Sequence, residues 1–186
     1  MSFYDLNLQR KQELEECLLE MMQEIPYREI TVKMLTEKME MARKTFYHYF
    51  PSKQACLESL TDRLIYECGV QQMQTLEGNS LCKQTYVETV KFWMAHKVFL
   101  DVINRNSLGA FFLNRMLMYL SDEDQAIQKN LSTDQIICDA DILFFYISGY
   151  LFLILKWSHE GFTLSVEEMA QKLLRLIHEP LVRAEE

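Results

Sequence analysis

A chain of 186 residues that is 49% apolar can form one compact core or two small ones, and it lacks the low hydrophobicity that marks disorder. Five Gly and three Pro starve strand-and-turn architectures while good helix formers are plentiful, so the chain reads as all-α. A net charge of −8 argues against a protein that simply coats nucleic acid, and five cysteines, never in a C-x-x-C pair, suggest neither a disulfide framework nor a zinc site.

The N-terminus carries Asp5, Arg10, Lys11, Glu13, Glu15 and Glu16 among its apolar residues. It has no uninterrupted apolar core of signal-peptide type, and a cytoplasmic location is expected. Leu14, Leu18, Met21, Met22 and Ile25, with Cys17 beside them, step by three and four, which predicts a first helix from about Leu8 to Ile25, stopped by Pro26. Thr31 is an N-cap for the next helix, in which Val32, Leu35 and Met39 share a face and leave Lys33 and Lys38 outside. Glu40 and Met41 interrupt that pattern. Ala42 to Phe50 then forms a second short helix whose polar side offers Arg43, Lys44, Thr45, Tyr47 and His48, side chains suited to groove and phosphate contacts. Two short helices around a tight turn, ending in a basic aromatic run, are how a DNA-reading helix-turn-helix is written.

From Arg28 to Lys53 six basic residues face three acidic ones, a local +3, whereas the chain beyond Gln54 is net acidic. A basic tip on an acidic body approaches DNA tip first, with few phosphate contacts. The succession of a capping Thr31, a short amphipathic helix, Arg43, then Thr45-Phe46-Tyr47-His48-Tyr49-Phe50 and Lys53 resembles the DNA-binding region of TetR-type (TetR/AcrR) transcriptional regulators, over Leu14 to Leu60. Carried onto this sequence, the resemblance places Arg43 and Thr45 where side chains reach bases or neighbouring phosphates. Tyr47, His48 and Lys53 fall where phosphates are gripped, Lys44 falls beside them, and Thr31 adds a backbone contact. Phe46 and Phe50 are assigned to the core of the head. Two positions depart from the family pattern. Glu40 stands where Gly is usual, so it must turn left-handed or relax the turn, at about 1 kcal/mol. Ala42 replaces the usual Ser cap, at roughly another 1 kcal/mol.

Pro51-Ser52 separates the head from a longer fourth helix with Leu57, Leu60, Leu64 and Cys68 on one side, ended by Gly78-Asn79-Ser80. Beginning at the head and extending past it, this helix is the natural lever between head and body. Helices follow near Lys83–Ala95, Val98–Asn104 and Leu108–Leu120, then a polar break at Ser121-Asp122-Glu123-Asp124 and a weaker helical stretch over Glu123–Leu131. A long helix runs from about Thr133 to His159. Its apolar run, Ile142 to Leu155, is short of the roughly 20 residues that span a bilayer, so no membrane association is expected. Gly161-Phe162-Thr163 turns the chain, and Ser165-Val166-Glu167-Glu168 is a capping box that opens a last helix at Val166, ending before Pro180.

Nine helices in this order resemble the TetR-type layout, an N-terminal helix-turn-helix head (1–55) on a C-terminal helical body (56–186) for ligand binding and dimerisation. The resemblance implies that Trp93, His96, Phe99, Phe112, Met116, Tyr119 and Tyr146 contribute to an inducer pocket. Eleven Met residues give soft walls suited to a small, mainly apolar inducer. The penultimate helix is apolar nearly all round, with Ser148-Gly149 in its middle, which suggests a two-fold homodimer built from Ser148, Gly149, Phe152, Leu173, Leu176 and Ile177. The expected partners are double-stranded DNA with a palindromic operator, the inducer and a second copy. No catalytic motif, cofactor motif or metal-ligand spacing occurs, so no enzyme, cofactor or metal is expected. Glu40 and Ala42 motivate one alternative, a coactivator or protein-interaction module on the same fold with weakened or lost DNA binding.

Overall fold

The computed structural model describes residues 3–74, 83–121 and 140–178, and all regular structure in them is helical. The helices are α1 (Phe3–Glu24), α2 (Val32–Lys38), α3 (Arg43–Tyr49), α4 (Lys53–Gln74), α5 (Lys83–Ala95), α6 (Lys97–Arg105), α7 (Gly109–Ser121), α8 (Ala140–His159) and α9 (Val166–His178). A single 3-10 turn, Tyr27–Glu29, links α1 to α2. The Gly78-Asn79-Ser80 stop, Asp122 to Asp139 with the Glu123–Leu131 stretch and Cys138, Pro180 and Cys82 lie outside the described residues.

The head is built where α1, α2, α3 and the first half of α4 pool their apolar stripes. Leu14 and Leu18 from α1, Leu35 from α2, Phe46 from α3 and Leu57 and Leu60 from α4 are fully buried together. Phe46 and Phe50 lie 6.1 Å apart in that core, where the sequence had assigned them. Seven-residue helices such as α2 and α3 have no stability of their own in water, so this shared burial is what holds them helical. α1 begins at Phe3, earlier than the apolar periodicity predicts, because its first turns carry exposed Leu6 and Leu8 rather than a core face.

In the body, α5 packs on α4 and α9, α6 on α1 and α8, and α7 on α4 and α8, so α4 runs from the head core into the body core. Three thiols, Cys17, Cys56 and Cys68, are buried in these layers. Burial pushes all three up, that of Cys68 to about 12, so none is a ready nucleophile. No helix of the described residues is long and apolar enough to cross a membrane.

The predicted caps are realised in detail. Thr31 Oγ1 accepts the Met34 N–H at 3.2 Å, and Ser165 and Glu168 form the reciprocal box, with Ser165 N–H donating to Glu168 Oε2 at 2.8 Å and Glu168 N–H donating to Ser165 Oγ at 3.2 Å. At the other end of α2, Glu40 takes φ +51°, the left-handed one of the two outcomes open to it, and the turn does not relax. Met41 N–H then bonds Thr36 O at 2.9 Å and Glu40 N–H bonds Glu37 O at 3.2 Å, a Schellman closure. The same closure ends α6 with Ser107 (φ +56°) and α8 with Gly161 (φ +73°). A left-handed Glu is strained and a Gly is not, although Gly loses more freedom on folding. Glu40→Gly is therefore expected to stabilise the chain by about 0.5 to 1 kcal/mol, read as a raised urea midpoint at unchanged slope.

Candidate nucleic-acid interface and body interior

Closure at Glu40 sets α3 so that Phe46, with Tyr49 half-buried beside it, faces the core while Arg43, Lys44, Thr45, Tyr47 and His48 face water. Among the described residues neither Arg43 nor Lys44 has an acidic partner, whereas the other basic side chains of the segment are engaged. Lys33 pairs with Glu37 at 3.5 Å, Lys38 with Glu20 at 2.9 Å and Arg28 with Glu29 at 3.7 Å. Uncommitted positive charge in the head is thereby concentrated at the start of α3. Ala42 caps α3 without a side-chain hydrogen bond, as the missing hydroxyl requires.

Lys53 departs from its expected role. Its ammonium turns inward, donating to Tyr27 O at 2.5 Å and to Ile30 O at 2.6 Å, and it sits 4.1 Å from the centre of the Tyr27 ring. Partial burial pulls its pKa down from the ordinary lysine value. Two of its three N–H groups thus clasp the turn that leads into α2, so Lys53 is first a structural clamp of the head and at most one donor remains for a phosphate. Thr31 is exposed with its hydroxyl already capping α2. Of the expected contacts, Arg43, Lys44, Thr45, Tyr47 and His48 share α3, Thr31 caps α2, and Lys53 is committed to the turn just before Thr31.

The residues expected to line a ligand site divide into two groups. Trp93, Phe99 and Phe112 are fully buried against one another, with centroid separations of 5.4 Å for Trp93–Phe112 and 5.3 Å for Phe99–Phe112. This trio is packing. His96 lies at the α5–α6 joint, its ring 4.3 Å from that of Phe92 and its Nδ1 2.9 Å from Phe92 O, which ties it to its own helix. Met116, Tyr119 and Tyr146 are half-buried. Two further phenols, Tyr86 and Tyr150, were passed over by sequence reasoning. Trp93 Nε1–H donates to the Tyr150 hydroxyl at 2.7 Å, and burial beside Cys68 and Tyr86 holds the Tyr150 phenol well above its ordinary pKa. Burial near Tyr146 pushes Tyr86 up to about 12, and burial near Tyr66 and Cys68 raises Tyr119. The phenols of Tyr119 on α7 and Tyr150 on α8 therefore lie near Cys68 of α4, with Tyr86 of α5 beside Tyr150. The Tyr146/Tyr150 spacing of four on α8 was the signal that could have found them.

On α8 the buried side faces α6 and α7 through Ile147, Leu151, Ile154 and Leu155, and the opposite side leaves Phe144, Phe145 and Phe152 at 52, 64 and 57% exposure. Gly149 lies on the open side, with nothing beyond its immediate neighbours and its own helix backbone within 4 Å of a Cβ placed there. Leu173 corrects an expectation. It is fully buried with Met169 and Ala170 in the chain's own core, where α9 packs on α5, so it is unavailable to a second subunit. Leu176 is half-buried, and the Ile177 side chain lies outside those described. No group of metal-ligating side chains gathers among the described residues.

Comparison with known proteins agrees with this geometry. Residues 18–60, from α1 into α4, match the family model of bacterial regulatory proteins, tetR family. The chain is 27% identical over 174 residues to an uncharacterized HTH-type transcriptional regulator, YxbF, of Bacillus subtilis (strain 168). That alignment covers 89% of this chain but only 44% of the relative, so the chain spans less than half of that protein's length. In fold it is similar to the dihydroxyacetone kinase operon activator DhaS, with a TM-score of 0.57, 17% identity, and 90% of this chain and 93% of that chain covered.

The two bonds from Lys53 are charge-assisted and cross the head, so Lys53→Ala is expected to lower stability by about 2 kcal/mol in urea unfolding, while Arg43→Ala stays within about 0.5 kcal/mol of wild type. Equal stability of the two variants would show that the clamp is weak.

Proposed function

We propose, from the match of residues 18–60 to the family model of bacterial regulatory proteins, tetR family, that the protein is a homodimeric DNA-binding transcriptional regulator acting as a repressor in the cytoplasm. It binds a palindromic operator and leaves it when a small, mainly apolar inducer enters the body. The observation that carries this reading is the exposed face of α3, where Arg43 and Lys44 have no acidic partner among the described residues and stand beside Thr45, Tyr47 and His48. Arg offers a planar fork that matches the O6/N7 edge of guanine, and Tyr and His donate single directed bonds to phosphate. The interior phenols, neutral at physiological pH, suit an uncharged ligand that brings one or two polar atoms among apolar ones.

Selection from a random duplex pool tests the head. A reproducible two-fold symmetric consensus is expected. Against that duplex, Arg43→Ala should cost about 1 to 3 kcal/mol and relax preference at one base pair, whereas Lys44→Ala should weaken all sequences alike and reduce the salt slope by about 1 per subunit.

Pairing of α8 across a two-fold axis, with Gly149, Phe152 and Ser148 at its centre and Leu176 at its edge, covers the phenylalanines that a single chain leaves in water. Gly149 separates this effect from folding. Because nothing in its own chain obstructs a side chain there, Gly149→Leu should leave a single subunit as stable as before, or more so by roughly 1 kcal/mol from helix propensity. The same change between paired helices should force them apart. Sedimentation at micromolar concentration is expected to give a dimer for wild type and a monomer for the variant, and a wild-type monomer would refute the arrangement.

A second reading is favoured by the Lys53 clamp and by the uncapped start of α3, both of which reduce phosphate contacts. In it the chain is a coactivator or interaction module that works through a protein partner, and the neighbour in fold is itself named an operon activator. No reproducible consensus in the selection would establish this reading over the first.

A further inference from the structure

A hydrogen-bonded series joins the body to the turn from which α2 starts. Tyr27 opens the 3-10 turn, so its backbone N–H has no partner inside that turn. It donates instead to Asn106 Oδ1, 2.6 Å away and 79 positions along the chain. Asn106 closes α6, and its Nδ2 donates to Val102 O at 2.9 Å, so both ends of the carboxamide are engaged and its orientation is set. Ser107, in the left-handed state, completes the closure and holds the backbone that presents Asn106. On the head side, the carbonyl of the same Tyr27 accepts from Lys53, whose second bond goes to Ile30 O, the residue before the Thr31 cap. On the body side, Asn104 Nδ2 donates to Leu155 O of α8 at 2.9 Å.

Two of these links, from the Tyr27 N–H to Asn106 and from Lys53 to the Tyr27 carbonyl, join different elements and meet at Tyr27. We infer that Asn106 is a positioning residue for DNA reading. By fixing the turn, it sets the angle at which α2 and α3 are carried on the body, and it relays displacement of α6 or α8 to them. α4 is pinned to α1 by Glu15–Arg63 and to α7 by Asp62–Arg115, and α6 packs on α1, so the Asn106 contact is the joint that reaches the turn into α2 directly. A displacement of the α6 terminus moves Tyr27, and through it the ammonium clamp and the start of α2. This inference rests on the DNA-reading function proposed above.

Two variants of the full chain test it. Asn106→Leu removes both hydrogen bonds at similar volume, and Asn106→Asp keeps the acceptor for the Tyr27 N–H. Amide hydrogen exchange should accelerate about tenfold over residues 27–38 in Asn106→Leu, the factor for one lost hydrogen bond, with α5 and α9 unchanged and with Asn106→Asp close to wild type. On the selected duplex, moving the half-sites apart by about one base pair should cost wild type and Asn106→Asp about tenfold in affinity but Asn106→Leu less than about threefold, because its heads are no longer held at one angle. Unchanged exchange over 27–38 in Asn106→Leu overturns the link. Faster exchange with a spacing penalty equal to wild type overturns the positioning role. If wild type selects no duplex, the DNA reading and the positioning role fall together, and the exchange arm alone decides whether Asn106 fixes the turn.

Discussion

Glu15 is the constraint on which the arrangement of head and body depends. Its carboxylate is 2% exposed on α1, and a charge so far out of water is tolerable only with its oxygens satisfied. Ser59 Oγ donates to Oε1 at 2.7 Å and Arg63 Nε donates to Oε2 at 2.8 Å, both from α4. Arg63 also reaches Glu67, which orients its guanidinium along the helix. Breaking such a pair from one side is costly, on the order of 3 to 5 kcal/mol, because the remaining charge is stranded. α1 and α4 are therefore locked in one register, and the apolar layer around Leu14, Leu18, Leu57 and Leu60 is assembled on that register.

From this lock the rest follows in sequence. α4 carries the register into the body, where Asp62 accepts from Arg115 of α7 and Gln72 donates to Thr89 of α5 at 2.9 Å. α5 in turn holds α9 through Met169, Ala170 and Leu173. Among the described residues α8 packs mainly on α6 and α7, with Tyr150 held by Trp93 of α5, and its opposite side reaches water with three phenylalanines.

What was legible in the sequence was local. Thr31, the Ser165–Glu168 box and the proline after α1 act within four residues, so their geometry could be read before any contact was known. Glu40 was legible for the same reason, since a Schellman closure needs a left-handed residue at one position whichever side chain stands there. The apolar stripes of α1 and α4 were legible by periodicity, and the bounds of α5 came out as read. What escaped depended on partners far along the chain. Lys53 has the appearance of a solvent-facing cation at a helix start, and only the folded path of residues 27 to 30 brings two carbonyls to it. Leu173 lies on an apolar stripe whose partner is α5 of the same chain, and a stripe alone does not say which helix it meets. Trp93, Phe99 and Phe112 were read as walls of a pocket, yet large rings satisfy one another when the fold brings them together.

On α3, the residue that builds the head and the residues that would read DNA do not overlap. Phe46 is the only buried side chain of α3; Arg43, Lys44, Thr45, Tyr47 and His48 are exposed, and the closure at Glu40 with the core around Leu35 and Leu57 fixes where they point. Substitutions at exposed helix positions away from special contacts change stability by only a few tenths of a kcal/mol. Recognition in this fold can therefore drift independently of foldability. A duplicated copy of the chain could acquire a new target by changing five side chains while its core, caps and joints stayed as they are, and a head grafted with another set would be limited by chemistry at the groove rather than by the scaffold beneath it.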